Sequence, residues 1–338
     1  MNKVHNSNQK LKGIKLQQYT VGFFAFFLFF TSCQSKKEVE PTEAPLNQVA
    51  VLVDDKLWNG ELGDSLRNWF ASPVEGLPQE EPEFTLNQYP IKLFEGYSAQ
   101  SRNILVIKKT AQSEFKIIEG DHAFSQNTVQ VAGHTLSEII DTLIVHVPEI
   151  RQKFRATEIA ECQKRLAKNH ASTRRPNRKF RVQMNIPPAF EVAFSRKKFL
   201  WLKKDIISGS VSLLMYQVPA YKVSRKQPLK DLIQLRDSIG RKYIHGTVSK
   251  SRMITESSYS PYFYKTKIDG HRAYEIKGNW QMKRNFMEGP FLMYAIQDRV
   301  NRRYLIVEGF CYAPSKEKRD IMFELESAMK SLQFLEKK

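Results

Sequence analysis

A short apolar stretch, residues 21–33 (VGFFAFFLFFTSC), constrains this chain more than any other feature. Ten residues, 21–30, are apolar apart from Gly22, whereas a helix that crosses a bilayer needs about 20. No acidic residue precedes the stretch, and four lysines do: Lys3, Lys10, Lys12 and Lys15. A positive segment followed by a short apolar run is typical of a signal peptide. We therefore predict a lipoprotein signal peptide over residues 1–32 and a body that folds outside the cytoplasm.

The end of this stretch carries a candidate attachment point for lipid. Phe30-Thr31-Ser32-Cys33 resembles a bacterial lipobox, although Phe30 stands where leucine is usual. The resemblance implies that signal peptidase II cleaves before Cys33, that the Cys33 thiol carries a diacylglycerol and that its amine is acylated, with palmitate among the acyl chains. Stable anchoring needs at least two membrane signals, because each buried methylene contributes only about 0.8 kcal/mol. The alternative is an uncleaved anchor or ordinary secretion, with Cys33 incidental; its place directly after two small residues favours lipidation.

The rest of the chain divides by composition and pattern. Residues 33–49 are polar and contain proline without a hydrophobic period, which predicts a disordered tether. We predict an N-terminal α+β region over 50–170, a basic linker over 171–179 and a C-terminal α+β domain over 180–338.

The N-terminal region shows alternating strand and helix patterns. Apolar residues recur at helical spacing over 59–71, and residues 103–109 (NILVIKK) are typical of a strand. Thr135 and Glu138 have capping-box spacing, so a helix should begin there. An apolar stripe continues to residue 154 and the helical pattern to about 170. Pro148 falls inside it, which predicts a kink or the start of a second helix.

The C-terminal half begins with period-2 alternation, which indicates a half-buried strand with Phe180, Val182, Met184 and Ile186 on one face. Further strands are predicted near 190–194, 199–202, 211–218, 272–280, 291–297 and 304–312. A helix opens at Pro228, with Gly240 placed to stop it, and a last helix follows Pro314. This order predicts an α+β fold with antiparallel sheets covered by helices.

Charge is unevenly distributed along the chain, whose formal net charge is +18. Residues 33–90 hold 4 Lys/Arg against 11 Asp/Glu, and residues 151–210 hold 16 against 4. The candidate anionic-ligand face is Arg174, Arg175, Arg178, Lys179 and Arg181. Cations among aromatics can bind single-stranded nucleic acid. Export argues against nucleic acid and favours anionic glycan or lipid headgroups. Solvated cations alternating with core aromatics are the alternative, which the period-2 pattern favours.

Signatures of catalysis and metal binding are missing from the sequence. It has no GxSxG, HExxH or glycine-rich phosphate loop, and no pair of histidines at metal-binding spacing. We predict no cofactor and no metal site. Cys162 and Cys311 belong to no CxxC motif, and an exported compartment permits one optional disulfide between them.

Several stretches resemble known families. The order of elements over about 180–335 is similar to the Mog1/PsbP-type α/β/α sandwich. The resemblance is carried by Asn185-Ile186-Pro187, a helix in the middle of the domain, the stretch 269–278 (DGHRAYEIKG) and a terminal helix ending at Leu332. Five further segments resemble a Bacteroidetes lipoprotein family, domain of unknown function 4837. They are 53–70 (VDDKLWNGELGDSLRNWF), 76–84, 102–108, 287–294 and 310–322. That resemblance runs through nearly the whole mature chain. It implies an envelope lipoprotein and carries no known reaction or site residues.

These observations favour a non-catalytic binding or assembly module of the cell envelope, anchored through Cys33, most naturally at the outer membrane. The alternative is an envelope hydrolase that acts on glycan or peptide. The expected partners are the membrane, through the lipid, and an anionic glycan or lipid or another envelope protein. Nucleic acid is not expected. The sequence leaves open whether the body faces the periplasm or the cell exterior.

Overall fold

The computed structural model describes residues 45–93, 101–120 and 126–335. The predicted signal peptide, Cys33 and most of the predicted tether lie outside the described residues. The tether was predicted to extend to residue 49, but its last residues belong to the fold. Asn47 is 2% exposed, and the first strand begins at Gln48.

The N-terminal half forms a five-stranded sheet in the order β2-β1-β3-β5-β4. Its strands are β1 (Gln48–Leu52), β2 (Thr85–Tyr89), β3 (Asn103–Lys109), β4 (Glu114–Glu119) and β5 (Asn127–Gly133). We expected antiparallel pairing, but only β4–β5 is antiparallel; β1–β2, β1–β3 and β3–β5 are parallel. Two helices, α1 (Asp55–Trp58) and α2 (Glu61–Phe70), supply the crossover that a parallel pair such as β1–β2 requires.

Helix α3 (Leu136–Lys168) connects the two halves of the molecule. The predicted N-cap is confirmed, because the Thr135 hydroxyl accepts a hydrogen bond of 3.2 Å from the Glu138 amide. Pro148 lies within one continuous helix and starts no second element. The first half of α3 packs on the first sheet through residues such as Leu143 and Phe154, and its last turns pack against the terminal helix.

The C-terminal half is built on an eight-stranded antiparallel sheet, as predicted for this half. Its order is β10-β12-β13-β14-β9-β8-β7, with β11 also paired to β12. The strands are β7 (Glu191–Arg196), β8 (Phe199–Ile206), β9 (Gly209–Pro219), β10 (Arg252–Thr255), β11 (Tyr262–Ile268), β12 (His271–Lys283), β13 (Glu288–Asp298) and β14 (Arg303–Tyr312).

Helices cover both faces of this sheet, so the α+β class is confirmed. Helix α5 (Pro228–Tyr243) packs on one face around Leu232, and α6 (Arg319–Lys330) packs on the other around Leu325. Alternate residues of β13 therefore enter opposite cores: Met293 faces α5, whereas Tyr294 faces α6.

Gly240 does not end α5, as its position had suggested; the helix continues to Tyr243. A Cβ atom at Gly240 would lie 2.4 Å from the carbonyl oxygen of Met253. Glycine is required here because strand β10 passes directly over the helix.

The segment 171–186 departs from the prediction of a linker followed by a long strand. It holds α4 (Arg174–Phe180) and only a two-residue strand, β6 (Val182–Gln183), which pairs with β15 (Gln333–Phe334). The predicted period-2 burial of Phe180, Val182, Met184 and Ile186 is nevertheless present. No helix in the described part of the chain is long and apolar enough to span a membrane.

Candidate functional site

The five predicted cations lie on α4 and at its end. Pro176 and Phe180 are buried and fix this short helix to the body. Arg174, Arg175 and Arg178 consequently point to solvent. Arg181 ends the helix in the left-handed conformation, with φ of 60°.

The structure separates this set into two groups. Lys179 and Arg181 line a surface groove of about 420 Å³, whereas Arg174, Arg175 and Arg178 are not among its lining residues. We call it the basic groove. It is lined by Lys179, Phe180, Arg181, Lys198, Gln217, Val218, Pro219, Asn301, Arg302 and Arg303. Five of these ten residues are cationic and none is acidic.

Antiparallel pairing explains why such distant residues meet. Arg303 on β14 pairs with Pro219 on β9, and Phe199 on β8 pairs with Tyr216 on β9. The β7–β8 and β13–β14 turns are therefore at the same end of the sheet. Backbone hydrogen bonds join them to the end of β9: Gln217 N–H donates to the Lys198 carbonyl at 3.3 Å, and Ala220 N–H donates to the Arg302 carbonyl at 3.0 Å.

Arg303 fastens α4 to the sheet. Its Nε donates to Asp298 Oδ2 at 2.7 Å, its Nη2 donates to the Phe180 carbonyl at 2.7 Å, and its Nη1 contacts Gln217. Burial alone would raise the pKa of Asp298, but hydrogen bonds from Asn301 and Arg303 outweigh burial and lower it. Arg303 therefore stabilises the contact between α4 and the sheet at the groove, and Asp298 neutralises the charge of Arg303.

Lys179 lies in a positive environment. Its Nζ donates one hydrogen bond, 2.6 Å long, to the Arg196 carbonyl. Its pKa is lowered, first by partial burial and then by the charges of Arg178 and Arg175. A nearby anion would relieve this repulsion. The exposed arginines of α4 therefore contribute to the potential of the groove without lining it.

Lys198 and Arg302 complete the cationic lining. Both are exposed, and in the described residues neither side chain forms an ion pair with a carboxylate. Two cations that face the same groove without a counter-ion repel each other, so an anion bound between them is favoured. Lys198 belongs to the basic segment 151–210 that the sequence identifies. Sequence reasoning missed Arg302 and Arg303, whose proximity to Lys198 depends on strand register.

The aromatic residues that interleave with these cations have mostly structural roles. Phe180 and Phe199 are core residues. Phe194 is partly buried, and the Arg196 guanidinium lies 4.7 Å from its ring centroid. Stacking platforms for unpaired bases need exposed rings. These rings are packed into the protein instead, as the core alternative had predicted.

Cys162 and Cys311 are free thiols in this structure, so the optional disulfide is not formed. Cys162, on α3, packs in a cluster with Phe323 and Ala328, whereas Cys311, on β14, belongs to the core between the sheet and α6. Burial raises the pKa of Cys162 to about 11 and that of Cys311 to about 12. Thiols held in their neutral form are poor nucleophiles.

A second cluster of charged side chains lies where α3, α6 and the second sheet meet. It surrounds a cavity of about 40 Å³ whose walls include Arg155, Glu326, Glu83 and Lys277. That volume holds about three water molecules at most. Arg155 pairs with both Glu83 and Glu326, so these charges stabilise the packing of the elements. Within the described ranges, no group of three or more His, Cys, Asp or Glu side chains could hold a metal ion.

The architecture and the site define an α+β protein whose antiparallel sheet is covered by helices on both faces and bears a basic groove at one end. Residues 169–331 match a family described as Domain of unknown function (DUF4837), and residues 42–167 match a second, Domain of unknown function (DUF8532). A DUF4837 domain is therefore present, and it contains every residue of the groove. The sequence resemblance predicted that the DUF4837 family would extend through nearly the whole mature chain. The family match covers only the C-terminal half, residues 169–331. No curated protein matches the chain.

Proposed function

We propose that this protein is a membrane-anchored envelope lipoprotein whose folded body binds an anionic envelope component in the basic groove. One observation carries the binding role: five cations from three separate parts of the chain line one concave surface that has no carboxylate among its lining residues, and Asp298, behind the surface, neutralises one of the five, Arg303. The anchor rests on the sequence of residues 21–33, with Cys33 as the lipidated residue.

The cell envelope supplies ligands of suitable chemistry. Acidic glycans and lipid headgroups both carry fixed anions, and a cationic concave site raises the local concentration of such groups. The proposed location is the outer membrane, and the proposed anchor is compatible with either face of that membrane. The antiparallel sheet between α5 and α6 also supports, as part of this proposal, a Mog1/PsbP-type sandwich for the C-terminal half.

Charge reversal in the groove tests the binding role. We expect the parent protein to be retained by anionic envelope extracts immobilised on beads at low salt and to be released as ionic strength rises. Lys198→Glu combined with Arg302→Glu should abolish retention, because both exposed cations become anions. The matched control is Lys265→Glu with Lys267→Glu, which reverses two exposed charges on β11, outside the groove.

Equal loss of retention in both double variants would mean that only net charge matters, and the groove would have no special role. Unchanged retention of the Lys198 and Arg302 variant would also contradict the proposal.

A further inference from the structure

Two exposed apolar side chains stand beside the basic groove. Val300, in the turn between β13 and β14, is 73% exposed, and Tyr221, in the turn after β9, is 81% exposed. The two turns are joined, because Ala220 N–H donates to the carbonyl of Arg302 at 3.0 Å. Both side chains therefore project from the end of the sheet at which the groove opens.

Cations surround these two apolar residues on the same turns. Arg299 immediately precedes Val300, and Lys222 follows Tyr221 with its ammonium 5.7 Å from the ring centroid. Arg225 and Lys226 follow in the same connection, and all four cations are exposed. The end of the sheet thus combines a concave basic site, protruding apolar tips and a basic rim.

This combination fits a lipid surface better than a free glycan chain. Apolar side chains that project among cations can enter the boundary between headgroups and acyl chains while the cations remain with the headgroups. Each Lys or Arg held near an anionic membrane strengthens its attraction to that surface. A glycan would supply anions to the groove and would leave Val300 without an apolar environment.

We propose that the basic groove binds the phosphate headgroup of an anionic phospholipid within a membrane, and that Val300 and Tyr221 enter the interface beside it. This inference rests on the anion-binding role proposed above and names the source of the anion. The sheet then meets the membrane at the end formed by the β7–β8 and β13–β14 turns.

The opposite end of β13 offers a matched comparison. Phe286, at the tip of the β12–β13 turn, is fully exposed. It also has cationic neighbours, Lys283 and Arg284, but Glu288 lies in the same hairpin. Because Val300 and Phe286 are at opposite ends of one strand, a single contact with a flat membrane cannot immerse both side chains.

The test introduces one tryptophan into the full chain, either in the β13–β14 turn as Val300→Trp or in the β12–β13 turn as Phe286→Trp. Each variant is mixed with vesicles of phosphatidylcholine, with or without phosphatidylglycerol, whose acyl chains carry bromine as a contact quencher. Fluorescence of the parent, which has four tryptophans, is subtracted. Attachment through residues 21–33 is common to both variants and does not affect the comparison.

We expect the tryptophan at position 300 to lose at least half of its fluorescence on vesicles that contain phosphatidylglycerol, with little loss at position 286. Tyr221→Trp serves as a second reporter at the same end if Val300→Trp does not fold. Quenching at position 286 alone, or at neither end, would overturn the inference.

A parallel arm separates the two proposals. Binding of inorganic tripolyphosphate or of polygalacturonate to the groove, without quenching at position 300, would overturn the lipid assignment and leave the anion-binding role intact. Failure of both soluble polyanions to bind, together with no quenching at position 300, would overturn both.

Discussion

Glu326 shows how single residues connect the stability of this protein to pH. It is buried, and Arg155 and Lys330 both pair with it. Burial alone would raise its pKa, but the charges of Arg155, Lys330 and Lys277 outweigh burial and lower the pKa to about 2. A carboxylate whose pKa is lower in the folded state stabilises that state above its unfolded pKa. The stabilisation is lost as pH falls towards 2.

Glu326→Gln should therefore lower the free energy of unfolding at pH 7 by up to about 3 kcal/mol, following the conversion of about 1.4 kcal/mol per pKa unit. The variant should also lose less stability than the parent between about pH 5 and pH 2. Urea unfolding at a series of pH values measures both effects. Glu191→Gln, at an exposed position on β7, is the control and should behave like the parent. Parallel pH profiles for Glu326→Gln and the parent would refute this account.

Arg236 and Glu308 form a second buried ion pair, on the opposite face of the sheet. Arg236 Nε donates to Glu308 Oε1 at 2.9 Å, its Nη1 donates to Thr255 at 2.9 Å, and its guanidinium lies 3.8 Å from the ring centroid of Phe291. Burial dominates the environment of Glu308 and raises its pKa despite the charge of Arg236. The charge of Arg236 therefore offsets part of the cost of burying this carboxyl group.

Arg236→Met should lower the free energy of unfolding by about 3–5 kcal/mol, because it leaves a carboxyl group buried without its partner. Adding Glu308→Met should recover much of that loss, since the pair is then replaced by apolar side chains. Denaturant unfolding of the two variants gives the comparison. A double variant no more stable than the single one would show that the pair is not the cause.

The basic groove shows where sequence reasoning stops at the scale of residues. Lys179 and Arg181 were identified because they lie in an obviously basic segment. Arg302 and Arg303 lie more than 100 residues away, at the start of β14 and in the turn before it. That turn is itself basic (residues 299–303, RVNRR), but nothing in its sequence links it to α4. The two arginines reach the groove only because β14 pairs with β9 in one particular register. One sequence alone does not predict which residues of β9 and β14 pair, because the two strands are far apart in the chain.

At the scale of elements, Gly240 in α5 provides a sharp test of packing. Replacing an exposed helical glycine by alanine normally stabilises a helix by about 1 kcal/mol. Gly240→Ala should instead destabilise, because the new Cβ would lie 2.4 Å from the Met253 carbonyl oxygen and would push β10 away. Ser238→Ala, at an exposed position two residues earlier, should be neutral or slightly stabilising. Thermal melting of both variants measures the difference; a rise in the melting temperature of Gly240→Ala would contradict the packing described here.

Elements with strong local signals were predicted well, and those defined by their partners were not. The Thr135 cap, α2 and the central strands of the second sheet follow from spacing alone. Strands β10 and β11 are short or largely exposed, so they lack a clear apolar period. The parallel pairing of the first sheet had a weak signal in the nearly continuous apolar residues of β1 and β3.

At the scale of the whole molecule, the account requires that Cys33 carry lipid. Cells supplied with labelled palmitate should incorporate the label into the parent protein, and Cys33→Ala should abolish labelling and release the protein from the membrane fraction. Cys162→Ala is the control, because Cys162 is buried in the folded body and should have no effect on labelling. Equal labelling of parent and Cys33→Ala would remove the anchor from the account.

The most direct measurement is a calorimetric titration of the full chain with inorganic tripolyphosphate, a compact polyanion, at two ionic strengths. We predict one binding site that weakens as salt increases. Affinity should fall at least tenfold in the Lys198→Glu, Arg302→Glu variant and be unchanged in the Lys265→Glu, Lys267→Glu control. Such a loss corresponds to about 1.4 kcal/mol or more of binding free energy. The absence of binding to the parent, or equal affinity in all three proteins, would contradict the central claim that the basic groove is an anion-binding site.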